Sequence, residues 1–80
     1  MYIINQVCSD GFANGRESFT FVGMKRDDVI SRAYKSYVSE QGDMSFEEFK
    51  DVMNRGFVNN TDFALIQMDD YHVQYEPTLI

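Results

Sequence analysis

Tryptophan is absent from these 80 residues, and cysteine, proline and histidine occur once each, as Cys8, Pro77 and His72. With a single thiol no intramolecular disulfide can form, so the fold has to rest on its core, and the usage fits a reducing compartment. One histidine without a cysteine cluster leaves no ligand set for zinc. A Cys8/His72 dyad would still need an orienting third group, and the sequence supplies none. Gly11, Gly15, Gly23, Gly42 and Gly56 are scattered singly, with no phosphate-cradling cluster. No hydrophobic run approaches the ~18 residues of a membrane span, and the N-terminal MYIINQV lacks the basic start and apolar stretch of a signal peptide. These absences lead to the expectation of a cytoplasmic protein that is not an enzyme, with no catalytic residue, no cofactor, no metal and no membrane contact.

Positive charge is scarce as well: 7 Lys and Arg stand against 13 Asp and Glu, a net charge of −6. The shortage is uneven. Residues 1–38 hold four acids (Asp10, Glu17, Asp27, Asp28) and five bases (Arg16, Lys25, Arg26, Arg32, Lys35), whereas residues 39–80 hold nine acids and only Lys50 and Arg55. One half is therefore near neutral and the other strongly anionic, which argues against direct nucleic-acid binding. A basic protein surface is the expected partner.

Hydrophobic residues make up 44% of the chain and aromatic ones 15%, seven Phe and five Tyr. In a chain this short, large rings are what offset conformational entropy, and one domain spanning 1–80 is expected. Tyr2 to Cys8 and Glu17 to Val22 read as strands, with Asn14-Gly15 as a turn signal and the polar stretch Ser9 to Ala13, which contains Gly11, as either a bulge or a mobile tip. From Asp27 to Gln41 the apolar residues Val29, Ile30, Ala33, Tyr34, Tyr37 and Val38 form a helical stripe that Gly42 can end. Ser45 and Glu48 form an S-x-x-E capping box, so a second helix starts at Phe46 and should stop near Arg55, with Gly56 closing it. Its Phe46, Phe49, Val52 and Met53 share one side, while Glu47, Glu48 and Asp51 share the other.

After the Asn59-Asn60-Thr61 loop, Phe63 to Met68 and Tyr71 to Glu76 read as a hairpin around Asp69-Asp70, with Pro77 ending the last strand. Ala64, Ile66 and Met68 should face the same way as Tyr71, Val73 and Tyr75. The expected architecture is α+β: ββααββ, a four-stranded antiparallel sheet with two helices on one face. Tyr34, Val38, Phe49, Met53, Ile66 and Val73 are expected in one core.

The stretch Gly42-Asp43-Met44-Ser45-Phe46-Glu47-Glu48-Phe49 resembles the exit half of an EF-hand. With Glu48 as the twelfth ligand, Gly42 takes the sixth loop position, but Tyr37 and Ser39 take the first and third, where carboxylates belong. No calcium site is expected. In size, acidity and lack of motifs the chain resembles the small phage-encoded inhibitors of host defence, the anti-CRISPR and anti-restriction proteins, a likeness of profile that carries no matched residue. It implies an anionic surface docked on a basic, nucleic-acid-binding site of a host protein, in the host cytoplasm. Glu47, Glu48, Asp51, Asp69 and Asp70 are the partner-binding candidates. The alternative is a structural or regulatory module that pairs with another copy of itself through an apolar sheet face, carrying Leu65, Tyr2 or Phe63, or through an edge strand.

Overall fold

The computed structural model describes residues 1–10 and 16–80, so the expected Asn14-Gly15 turn and the bulge or mobile tip expected at Gly11 lie outside the described residues. The elements are β1 (Tyr2–Asp10), β2 (Arg16–Gly23), α1 (Arg26–Ser39), α2 (Phe46–Asn59), β3 (Phe63–Met68) and β4 (Tyr71–Leu79). They build the expected α+β ββααββ fold, one antiparallel sheet in the order β2-β1-β4-β3. The first and last strands are thus central neighbours. The two helices carry the chain from one edge of the sheet to the other, α1 over β1 and β2, α2 over β4.

Met1 and Ile80 exchange both backbone bonds, 2.6 Å from the Met1 nitrogen to the Ile80 carbonyl and 2.9 Å from the Ile80 N–H to the Met1 carbonyl. In an antiparallel ladder such pairs alternate, so this pair sets the phase of the whole sheet. Along β4 the even-numbered residues aim their N–H at β1 and the odd-numbered ones aim away. Pro77 is odd. Its missing N–H therefore falls on the side of β3, which pairs no further along β4 than Phe63↔Tyr75. That corrects the expectation that Pro77 ends the strand: it sits buried inside β4, opposite Ile4, at a position where the ladder asks nothing of it.

β3 departs from strict alternation. Between Ala64 and Ile66 the register shifts, leaving Leu65 as an extra residue, so Phe63, Ile66 and Met68 lie opposite Tyr75, Val73 and Tyr71. Ala64 lies opposite Gln74 on the other face, a correction to the even alternation expected for Ala64, Ile66 and Met68. The bulge is what keeps both Phe63 and Ile66 on the helix side.

The helices meet at a cluster of rings. The Tyr37 ring lies 5.0 Å from Phe49, 5.8 Å from Tyr34 and 5.9 Å from Tyr75, and the Phe49 ring lies 5.5 Å from Tyr75. One ring of β4 thus touches both helices. Phe49, Met53, Ile66 and Val73 are buried as expected and Tyr34 packs against them, whereas Val38 is 50% exposed. Val38 lies at the edge of a stripe wider than the surface it covers. α1 itself runs Arg26–Ser39 rather than to Gln41, because Gln41 turns left-handed (φ 69°). Gly42 then lies so close to the Tyr37 ring that any Cβ would collide with it.

α2 passes through Gly56 and ends at Asn59, capped by a left-handed Asn60 (φ 51°) whose N–H reaches the Gly56 carbonyl. The expected stop near Arg55 is therefore four residues, just over one turn, early. Gly56 serves close packing instead: a Cβ there would lie 2.5 Å from Pro77 Cγ and 3.0 Å from Phe63 Cε2. At an exposed helical site Gly→Ala stabilises by about 1 kcal/mol, but overpacking against a proline ring costs about 1–3 kcal/mol. Gly56→Ala should lower stability in denaturant unfolding; a rise would mean that α2 does not lie on Pro77.

Candidate interaction surface

The charge asymmetry of the sequence becomes an asymmetry in space. Because the helices cross from edge to edge, β2, β1 and α1, from the near-neutral half, occupy one flank, and α2, β4 and β3, from the anionic half, the other.

Within the anionic flank, one corner gathers acids from separate elements. The Tyr71 hydroxyl donates to Glu40 Oε2 at 2.5 Å, tying the end of α1 to the start of β4. Gln41, Gly42 and Asp43 line a cleft of about 290 Å³ with Leu65, Ile66, Gln67 and Met68, which brings Asp43 beside the strand that runs into Asp69-Asp70. The connection from α1 to α2 is held there by two hydrogen bonds. The Met44 N–H donates to the Tyr37 hydroxyl (2.9 Å), and the Tyr34 hydroxyl donates to the Met44 carbonyl (3.0 Å). Glu47 follows in the first turn of α2. Asp69, Asp70, Asp43 and Glu47 are exposed, and among the described residues no ion pair involves them.

The five expected partner-binding residues divide. Asp69 and Asp70 belong to this corner, while Glu47 is exposed in the first turn of α2. Glu48 is engaged locally: it closes the capping box, its carboxylate accepting the Ser45 N–H at 3.3 Å while Ser45 Oγ accepts the Glu48 N–H at 3.2 Å. Asp51 pairs with Arg55 at 3.4 Å one turn along α2. Sequence reading passed over Asp43 and Glu40 because neither sits in a periodic pattern; only the folded connection brings them to Asp69-Asp70.

Two of the basic residues of the other flank are partnered. Arg32 bonds the Val22 carbonyl (2.7 Å) and pairs with Asp28 (3.3 Å), and Arg26 approaches Asp27, which Lys50 of α2 also reaches. Neighbouring acids reduce what this group could offer a phosphate.

Inside the domain, Cys8 and His72 lie on opposite faces of the sheet, since Cys8 pairs with Val73 and His72 with Ser9. No dyad can form. The Cys8 thiol instead receives Gln6 Nε2 at 3.6 Å, and Gln6 Oε1 accepts the Tyr75 hydroxyl at 2.8 Å, so the buried Gln6 is satisfied at both ends. Burial above all, with the Glu40 and Cys8 contacts next, holds the Tyr71 hydroxyl far above the ordinary phenol range. Burial does the same for Tyr75. Both stay protonated as donors.

Of the residues named for an apolar sheet face, Tyr2 packs edge-on against Phe57 with ring centroids 5.1 Å apart, and Phe63 lies against Gly56 on the helix side. The uncovered face instead carries Thr20 bonded to Asn5 (2.7 Å) and Gln74 bonded to Glu76 (3.1 Å). That face is largely polar.

No protein-family model, curated protein or solved structure matches the chain.

The EF-hand likeness has a local outcome. Tyr37, which would take the first loop position, is fully buried, and the Glu48 carboxylate caps α2. Calcium at millimolar concentration should leave the melting temperature unchanged; a calcium-dependent rise would mean that this segment can refold into a binding loop.

Proposed function

We propose that the protein is a small binding protein that docks its anionic corner onto a basic surface of a protein partner, a surface that otherwise holds nucleic acid. The observation that carries this reading is the convergence of Glu40, Asp43, Asp69 and Asp70 from the end of α1 with its connection and from the β3–β4 turn, with Glu47 exposed in the first turn of α2 and no ion-paired base among these acids. Like charges repel, so collecting them costs folding free energy, a cost that a complementary partner removes. Carboxylates so gathered present the charge that backbone phosphates present and compete for the same Lys and Arg side chains. The profile likeness to anti-CRISPR and anti-restriction proteins supports the same reading, in which the chain inhibits a host defence enzyme without catalysis of its own.

Such an interface is steered electrostatically: association is fast, weakens with salt, and loses little from any single exposed charge. The test measures DNA cleavage by RNA-guided nucleases and by restriction endonucleases with the protein added. Inhibition of at least one class is expected, falling as ionic strength rises. The triple variant Glu47→Lys, Asp69→Asn, Asp70→Lys should abolish it. It leaves the Glu48 cap and the Asp51–Arg55 pair in place, and Asn at position 69 tolerates the positive φ of 25°. Circular dichroism of the variant should match the parent. Inhibition that survives the triple change, or no inhibition of either class, would overturn the reading.

A further inference from the structure

The two edges of the sheet are treated differently. β3 is short, broken by the Leu65 bulge, and flanked near its end by Gln41–Asp43, three devices that blunt an edge against pairing. β2 has none of them over its described length. It pairs with β1 without interruption from Arg16 to Gly23 and contains no proline.

The phase set by Met1 and Ile80 fixes which backbone groups β2 leaves bare. Odd residues of β1 bond to β4, so even ones bond to β2, engaging Glu17, Phe19, Phe21 and Gly23 opposite Cys8, Gln6, Ile4 and Tyr2. Ser18 and Thr20 therefore aim both N–H and C=O outward. At Val22 the outward carbonyl is already taken by Arg32 Nη2 at 2.7 Å, which closes this end of the edge. On the helix side, Phe19 is 46% exposed, a large ring left uncovered between the two bare positions.

We propose that β2 pairs antiparallel with β2 of a second copy of this chain, about a two-fold axis at Phe19, joining two sheets into one of eight strands. This register matches Ser18 with Thr20 of the partner copy on both sides of the axis and uses the open backbone groups. Phe19 then faces Phe19 of the other copy as a non-hydrogen-bonded pair, the closest side-chain approach a ladder offers. Charge is what points to a second copy rather than to another strand. The chain carries −6 overall, yet the flank at β2 is the near-neutral one, so the pairing keeps both anionic flanks at the far ends of the joined sheet. Along α1, Asp28 and Arg32 lie close to Gly23 and are paired with each other, so this end of the edge adds no unpaired charge to the contact. The contact is small, which places it among weak, reversible interfaces.

Sedimentation equilibrium of the full chain should show a monomer of 9.3 kDa at low micromolar concentration moving towards twice that mass as concentration rises towards millimolar. Thr20→Pro removes an outward N–H without touching the β1 ladder and should abolish the dimer with circular dichroism unchanged. Should proline disturb the strand, the double variant Ser18→Lys, Thr20→Lys keeps the backbone and sets like charges opposite one another; it should abolish the dimer too. Phe19→Cys should form an intermolecular disulfide much faster than Ser18→Cys, since only position 19 meets itself across the axis. A wild-type chain that stays monomeric at millimolar concentration, a dimer that survives the folded Lys variant, or equal cross-linking at positions 18 and 19 would each overturn the proposal.

Discussion

The structure depends on the contact between Tyr37, Phe49 and Tyr75. These three fully buried rings come from α1, α2 and β4, so one cluster joins every layer of the domain. Each aromatic pair contributes about 0.5–1.5 kcal/mol beyond the area it buries, whereas half-exposed ion pairs such as Asp28–Arg32 and Asp51–Arg55 contribute about 0–1 kcal/mol. In a chain without a disulfide the rings decide stability. Tyr37 also shapes the connection beside it: its hydroxyl accepts the Met44 N–H, and its ring admits nothing larger than glycine at position 42.

From that constraint the distribution of charge follows. A connection pinned on Tyr37 is short, so α2 must lie next to α1 and continue across the sheet to deliver the chain to the far edge as β3. The acids of the second half then have nowhere to go but the far flank and its corner. The same crossing leaves β2 as the edge that no later segment covers. Acidic corner and bare edge are thus two consequences of one topology, on opposite sides of the molecule.

Much of the fold was legible in the sequence because it is written in local patterns. The apolar stripe of α1, the Ser45–Glu48 box and the run Tyr71, Val73, Tyr75 report their elements directly. What failed depended on contacts distant in sequence. Gly56 looks like a helix stop until Pro77 is seen against it, and Pro77 looks like a strand stop until β3 is seen to end short of it. Leu65 disrupts an alternation that no residue type announces. In the acidic surface, net charge is readable without a structure, but Glu48 and Asp51 share a helix face with Glu47 and differ only in having local partners. Glu40 and Asp43 join the corner through Tyr71 and the cleft against β3, contacts that periodicity cannot reveal.

The most direct test of this account is proton NMR of the α1–α2 connection. If Gly42 lies against the Tyr37 ring, its α protons shift upfield under the ring current and show nuclear Overhauser contacts to that ring, while the Tyr37 ring shows contacts to Tyr75 and Phe49. Random-coil shifts at Gly42 with no contact between the Tyr37 and Tyr75 rings would contradict it, and with it the placement of the acidic corner.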